Sequence, residues 1–346
     1  MSKMKIAKVT VVTIMFGNRW KFLSQVVAAV MKDPHVATLI IVDNGSENKT
    51  KIEEGTKEYG KRIVILRQEK NLGSAGGFGI GLARARETDC DHVLILDDDC
   101  IPEDGAIDMF LDTLKLFRDQ KVVLLGNRSN VLANKEYFYK PSLANDGVRG
   151  TFFEIFSFRK FFYFFKLLIL RNAGGYKRGP FIPIIPIESF IYGGAFLPIE
   201  AVREAPLPDA SLFLYGDDIE YSWNVKKLGY GTYLCSSPHI SDIDFTFGAN
   251  SSHIFGQFDP QTAPFRVYYR MRNMVRLSIR HSRQNKLVLF ISIVVWAFGL
   301  LILGLSKQGP TKNFFKKAKL IIQAVYAGYY PNSPMAKELE GSFFSK

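Results

Sequence analysis

Residues 95–105 read "ILDDDCIPEDG": three carboxylates, Asp97, Asp98 and Asp99, close an apolar run, and a proline follows. Like charges at this spacing repel, so neither a strand nor a core gains from them. On an extended chain alternate side chains share a face, so Asp97 and Asp99 point one way and Asp98 the other. Two carboxylates converging at a strand end make a hard-oxygen seat for Mg2+ or Mn2+, whose shell water and phosphate oxygens complete. The plain alternative is a solvated acidic turn capping the next helix, and a bare D-x-D does not separate the two. A second acidic group lies in "LYGDDIEYSWNVKKLGY" (214–230). Asp217 and Glu220 have the spacing of a capping box, which leaves Asp218 in the first helical turn as candidate general base. A carboxylate there is a weak base, which suffices for a proton that leaves late in a displacement. A third feature, "NLGSAGGFGIG" (71–81), satisfies neither G-x-G-x-x-G nor G-x-x-x-x-G-K-[ST]. Glycines at a helix start still let backbone approach a phosphate or sugar, or let the helix pack closely on a sheet.

The surrounding pattern sets these groups at strand ends. Residues 7–16, 37–46, 62–67, 91–99 and 121–127 read as strands, rich in valine and isoleucine. Helical spacing covers 19–31, 49–59, 73–87 and a stretch from Pro102 to about Phe117, with Pro102 as first residue and Glu103 and Asp104 in the first turn. Strands alternating with helices predict an α/β fold with a mostly parallel, Rossmann-like sheet flanked by helices. Ligands bind such sheets outside the carboxyl ends of the strands, where Asp43 and the aspartate triplet both fall. Beyond 128 the regularity breaks: 151–171 is phenylalanine-rich, 179–188 is extended and proline-punctuated, 192–198 is a short strand, and 218–228 is helical. The expected division is a domain over 1–265, with halves at about 1–127 and 128–265, followed by C-terminal helices over 266–346.

The chain has 346 residues, 47% apolar and 23% charged, with a net charge of +12, a balance that favours an anionic partner. Basic residues gather at Arg266, Arg270, Arg272, Arg276, Arg280, Arg283 and Lys286. No charge interrupts 287–305, which as a helix reaches about 28 Å, marginal for a span. Residues 311–330 follow as a basic amphipathic helix. Phe314, Phe315, Ala318, Ile321, Ile322, Val325, Tyr326 and Tyr329 share one stripe, and Lys312, Lys316, Lys317 and Lys319 fall opposite. Basic flanks on both sides favour an in-plane or shallowly re-entrant helical pair, with residues 151–171 joining it, on the anionic cytoplasmic face of the cell membrane. A buried core or homo-oligomer helix and a true membrane span are the other uses of 287–305. Nucleic acid is not the expected partner: the basic stretch has no helix-turn-helix, zinc or RNP pattern. Three cysteines, without a C-x-x-C, form no disulfide framework.

Taken together, "VDNGS" (42–46), "NLGSAGG" (71–77), "LILDDD" (94–99), "GGAFL" (193–197), "DDIEYSW" (217–223) and "YYRMRN" (268–273) are specific in order and spacing. Over roughly residues 8–280 the chain resembles family 2 glycosyltransferases of the GT-A fold. It resembles above all the bacterial galactofuranosyl- and rhamnosyltransferases of cell-surface polysaccharide synthesis. The resemblance implies a UDP- or dTDP-sugar donor and a lipid-linked or polysaccharide acceptor, joined by single displacement with inversion. It implies that Thr13, Arg19, Asp43, Asn44, Asn71, Gly76, Asp97 and Asp98 face the nucleotide-sugar. By the same resemblance Asp97 and Asp99 ligate Mn2+ or Mg2+, Gly193, Gly194, Asp217 and Trp223 shape the acceptor side, and Asp218 is the base. Relatives carry a histidine metal ligand after the base helix; here His239, Asp244 and His253 are the candidates. "TIMFGNRW" (13–20) departs from the family's usual "TYN" after the first strand. A sugar-phosphate nucleotidyltransferase needs a glycine-rich, basic loop at that point, which this stretch does not supply. A non-catalytic membrane scaffold on the same fold fits less well, because Asp97, Asp99 and Asp218 are all kept.

Overall fold

A computed structural model describes residues 6–118, 120–128, 137–139, 141, 179–244, 257–282 and 285–343. The expectations for 151–171, His253 and Arg283 fall outside the described residues.

The described residues form two units. The first lies within Met1–Asn145, Gly179–Phe213 and Asp217–Phe247; the second takes in Leu214–Gly216 and Gly248–Lys346. In chain order the first unit holds β1 (Val9–Met15), α1 (Trp20–Lys32), β2 (Val36–Asn44), α2 (Lys49–Thr56), β3 (Ile63–Gln68), α3 (Gly73–Ala85) and β4 (His92–Asp97). It continues with β5 (Cys100–Pro102), α4 (Ala106–Lys115), β6 (Val122–Arg128), β7 (Ile184–Pro186), β8 (Ala195–Pro198), α5 (Ile199–Glu204), α6 (Asp217–Lys227) and β9 (Gly231–Asp242). The sheet order is β3-β2-β1-β4-β8-β6-β9-β5, with β7 also pairing β9.

The half that holds the aspartate triplet is parallel, as its alternating pattern predicts: β1 pairs β2 and β4, and β2 pairs β3, all in one direction. The other half is mixed. β8 runs antiparallel between β4 and β6, and β5 and β7 run antiparallel to β9. β-Branched residues fill the central strands because both faces are covered. Val12, Ile40, Val42 and Ile95 pack under α3 on one face, and Val11, Leu39, Ile41 and Leu96 pack with α1 and α4 on the other. In α1, Leu23, Val26, Val27, Val30 and Met31 recur at helical spacing and are buried.

One local expectation is corrected. Pro102 does not open a helix: it closes β5, opposite Ile240 of β9. The Glu103 N–H donates to the His239 carbonyl at 3.0 Å, and α4 starts at Ala106 after Gly105 turns the chain at φ 76°. Residues 231–242 form the long strand β9, in register with β6 on one side. Tertiary pairing overrides local composition here.

The second unit is helical: α7 (Pro264–His281), α8 (Lys286–Gln308), α9 (Lys312–Tyr329) and α10 (Pro334–Ser342). Its basic stretch is not all surface. Arg272 is 1% exposed, ion-paired to Glu340 and stacked over Tyr269 at 4.5 Å. Lys317, expected on the solvent side of its helix, is buried and donates to the Thr262 carbonyl.

Candidate active site

β4 ends at Asp97, and Asp98 and Asp99 make the turn into β5. Asp97 sits beside Ile14 in register, on the sheet face that packs under α3. The turn gathers Asp97, Asp99 and Cys100, whose ligand atoms lie within 4.8 Å of one another. Asp98 turns elsewhere. Its Oδ2 accepts from Arg19 Nε at 2.7 Å, while Arg19 Nη2 reaches Asp99 at 2.7 Å and Nη1 reaches Asp244 at 2.6 Å. Arg19 immediately precedes α1, which aims its guanidinium at the triplet. Arg128, at the end of β6, pairs with Asp242 of β9 and approaches Asp97 Oδ2 at 3.8 Å.

Among the described residues, five carboxylates thus gather around two guanidiniums. Burial pushes Asp98 up to about 7, against the pull of Arg19. Burial and the charges of Asp97 and Asp242 push Asp99 up to about 6. Asp97 is raised as well, first by burial and then by Asp218 and Asp242, although Arg128 opposes. Carboxylates held in this way gain from an added cation.

The residues fit a divalent ion. Asp97 and Asp99 offer hard oxygens, and Gly193 lets Asp97, Arg128 and Cys100 close up against the backbone. A Cβ at position 193 would stand 2.8 Å from Asp97 Oδ2, 3.0 Å from Arg128 Nη1 and 3.1 Å from Cys100 Sγ. Gly194 (φ 107°) carries the turn into β8, donating to the Ile95 carbonyl at 2.9 Å. Asp244 and His239 are not among the three residues whose ligand atoms converge. Asp244 belongs to the Arg19 cluster, and His239 lies within β9 opposite Asn127.

The second acidic group meets the first. Asp218 raises Asp97, and Asp97 in turn raises Asp217, so the start of α6 and the end of β4 share one electrostatic site. Asp217 does not serve as the cap of a box. It is buried, and Oδ1 accepts from Ser74 Oγ of α3 at 3.0 Å. Burial, then the neighbouring Asp218 charge, pushes it well above the ordinary range. Asp218 is half-buried, its Oδ1 accepting from the Ile219 N–H at 2.8 Å. Tyr192 is buried beside both: burial, then Asp217 and Asp218, pushes its phenol well up. Trp223 lies one turn further along α6, partly exposed.

The approach to α6 is strained. Phe213 (φ 62°) and Tyr215 (φ 70°) adopt left-handed backbone, at about 1–3 kcal/mol each. In the first unit the Phe213 carbonyl accepts from the Ala75 N–H at 3.1 Å. In the second, Asn273 Nδ2 donates to the Leu214 and Tyr215 carbonyls at 2.8 Å each. Asn273 of "YYRMRN" thus braces residues 214 and 215 within the second unit.

The remaining nucleotide-side candidates separate into two kinds. Thr13 and Asp43 lie on one sheet face, since Asp43 pairs Met15, two residues along from Thr13. Both are buried, and Thr13 Oγ1 and Asp43 Oδ2 each lack a hydrogen-bond partner, as groups awaiting a ligand would. Asn44 and Asn71 instead brace the chain. Asn44 Oδ1 accepts from the Leu72 N–H, and Asn71 Oδ1 accepts from Asn44 Nδ2 and the Gly73 N–H. Gly76 lies in α3, where a Cβ would meet that of Leu72 at 2.6 Å. Sequence reasoning missed Arg128, Asp242, Cys100, Tyr192 and Ser74. Arg128 ends a strand and Cys100 adjoins the triplet, so the strand-end rule could have found both.

Residues 10–175 match the family described as glycosyl transferase family 2. Galactofuranosyltransferase GlfT1 of Mycolicibacterium smegmatis is 27% identical over 214 residues, 61% of this chain and 63% of that protein. The GlfT1 of Mycobacterium tuberculosis is 25% identical over 198 residues, 57% of this chain and 58% of its own. The match thus spans less than two thirds of the length of these relatives. Among solved structures, a mannosyltransferase from Pyrobaculum calidifontis in complex with GDP-Man and Mn2+ superposes with a TM-score of 0.50. It is 11% identical and covers 98% of this chain and 80% of its own. GalNAc-T7 with UDP, GalNAc and Mn2+ gives a TM-score of 0.57 at 14% identity, over 96% of this chain and 59% of its own. By this match over residues 10–175, just under half of its length, the chain resembles glycosyl transferase family 2, and its fold has the GT-A architecture.

Proposed function

We propose that the chain is a metal-dependent, inverting glycosyltransferase. Its donor is a UDP- or dTDP-sugar, its sugar galactofuranose or rhamnose, and its acceptor a lipid-linked or polysaccharide glycan of the bacterial cell surface. The named relatives favour galactofuranose. One observation carries the reading: Asp97 at the end of β4, which converges with Asp99, lies in electrostatic reach of Asp218 at the start of α6. A divalent ion on Asp97 and Asp99 would offset the charge of the departing nucleoside diphosphate. Asp43 and Thr13 offer unpartnered oxygens to the nucleoside. Asp218 takes the proton of the acceptor hydroxyl as the new glycosidic bond forms and the bond to the diphosphate breaks. Attack opposite the leaving group inverts the anomeric centre.

The test is release of UDP or dTDP from UDP-galactofuranose and dTDP-rhamnose, with Mn2+ and a membrane extract as acceptor source. Asp218→Asn should lower turnover by about 10²–10⁴-fold while donor binding persists. Turnover equal to the parent would remove Asp218 as base. No nucleotide release from either donor would overturn the reading.

The membrane is the proposed platform. Among the described residues one helix, over Lys286–Ser306, is long and apolar enough to cross a bilayer. One face of α8, with Leu289, Ile293, Trp296 and Leu300, is buried within its own unit. The other exposes Phe290, Ile291, Val294, Phe298 and Ile302. A helix half-packed on protein favours lying in the interface over crossing it alone.

A further inference from the structure

We propose that the metal seat has a third protein donor, the sulfur of Cys100, so that the ion is held by two carboxylates and a thiolate. The inference rests on the metal-dependent reading above.

Buried cysteines are usually small apolar core residues, and Cys235 and Cys100 both belong to the core that α4 covers. Cys100 differs in what its sulfur faces. Sγ lies 3.9 Å from Asp97 Oδ2 and 3.7 Å from Asp99 Oδ1. Zn2+-like bond lengths of about 2.1 Å to oxygen and 2.3 Å to sulfur, at a tetrahedral angle, separate the two donors by about 3.6 Å. Sγ therefore already stands near ligand spacing from each oxygen, and all three ligand atoms lie within 4.8 Å of one another. Gly193 lets these groups close in on the backbone: a Cβ there would stand 2.8 Å from Asp97 Oδ2, 3.0 Å from Arg128 Nη1 and 3.1 Å from Cys100 Sγ. β5 fixes the position: Cys100 pairs Asp242 of β9, and its side chain is fully buried. On coordination the thiol proton leaves to solvent and the sulfur binds as thiolate.

A thiolate shifts preference toward softer ions. The seat should therefore hold Cd2+, Zn2+ and Mn2+ more firmly, relative to Mg2+, than two carboxylates alone would. The experiment is titration of the purified full chain with Cd2+, Mn2+ and Mg2+, by calorimetry and by ultraviolet absorption. Cd2+ should produce a sulfur-to-metal charge-transfer band that both Cys100→Ser and Asp97→Asn remove. Cys100→Ser should lose roughly tenfold or more in Cd2+ affinity, with a much smaller change for Mg2+. The cadmium NMR shift of the unsubstituted chain separates an all-oxygen from an oxygen–sulfur shell, so a variant that fails to fold leaves the proposal testable. An all-oxygen shift, or a band that survives Cys100→Ser, overturns the sulfur donor while leaving the carboxylate seat intact. Binding of none of the three ions overturns the metal-dependent reading as well.

Discussion

At position 193 the absence of a side chain is what leaves Asp97 room. Gly193→Ala places a methyl group 2.8 Å from the Asp97 carboxylate and 3.0 Å from the Arg128 guanidinium, so one of the two must move. The backbone there is not in the left-handed region that favours glycine, so the strain is confined to the site. Overpacking of this kind costs about 1–3 kcal/mol. The variant should melt a few degrees lower and lose roughly tenfold in Mn2+ affinity, read by calorimetry. Unchanged Mn2+ affinity would separate Gly193 from the seat. The acidic triplet shows how far single residues are legible. That Asp97 and Asp99 form the useful pair followed from alternation. The partner of Asp98 did not, because Arg19 reaches it from the start of α1 across a sheet that local pattern cannot pair.

At the scale of elements, the strands of the parallel half were legible because burial on both faces leaves an unbroken β-branched run. β5 and β9 were not, because pairing to neighbouring strands outweighs their prolines and serines. The junction of β2, β1 and α4 offers a pH test. His35 Nδ1 meets the Ala7 carbonyl at 3.0 Å, and Nε2 meets Asp108 of α4 at 2.9 Å. Only the imidazolium donates from both nitrogens. Burial, the largest influence, opposes that charge, but the Ala7 carbonyl and Asp108 outweigh it and raise the pKa above 6.5. A raised folded value means that the contribution is fully present below the unfolded pKa and is lost as pH rises through the folded one. The melting temperature of the parent chain should exceed that of Asp108→Asn at pH about 5, and the gap should close toward pH about 8. A gap that widens with pH would rule out the charged bridge.

At the scale of the whole molecule, the net charge of +12 and the apolar stretch pointed to a membrane, but composition could not say which groups remain available. Arg272 and Lys317 turn inward, and the expected stripe of α9 divides. Phe314 and Ile321 pack within the unit, while Phe315, Ile322 and Tyr326 face out. What remains outside is apolar on α8 and mixed apolar and basic on α9, which suits the boundary between headgroups and acyl chains of an anionic bilayer. Insertion and surface attraction respond differently to salt. Charge alone is screened within about 3 Å at 1 M salt, whereas burial of phenyl rings is not. The chain should therefore stay on anionic vesicles through a high-salt wash and leave them in detergent. Phe290 and Phe298 are 51% and 64% exposed, so each has about 1 kcal/mol still to gain from the acyl region. Replacing both with Ser should weaken vesicle partitioning by roughly thirtyfold, with the melting temperature nearly unchanged because neither ring belongs to the core. Release by salt alone, or a double variant that partitions like the parent, would place the α8 stripe against protein. A second copy of the chain would then be the surface to seek.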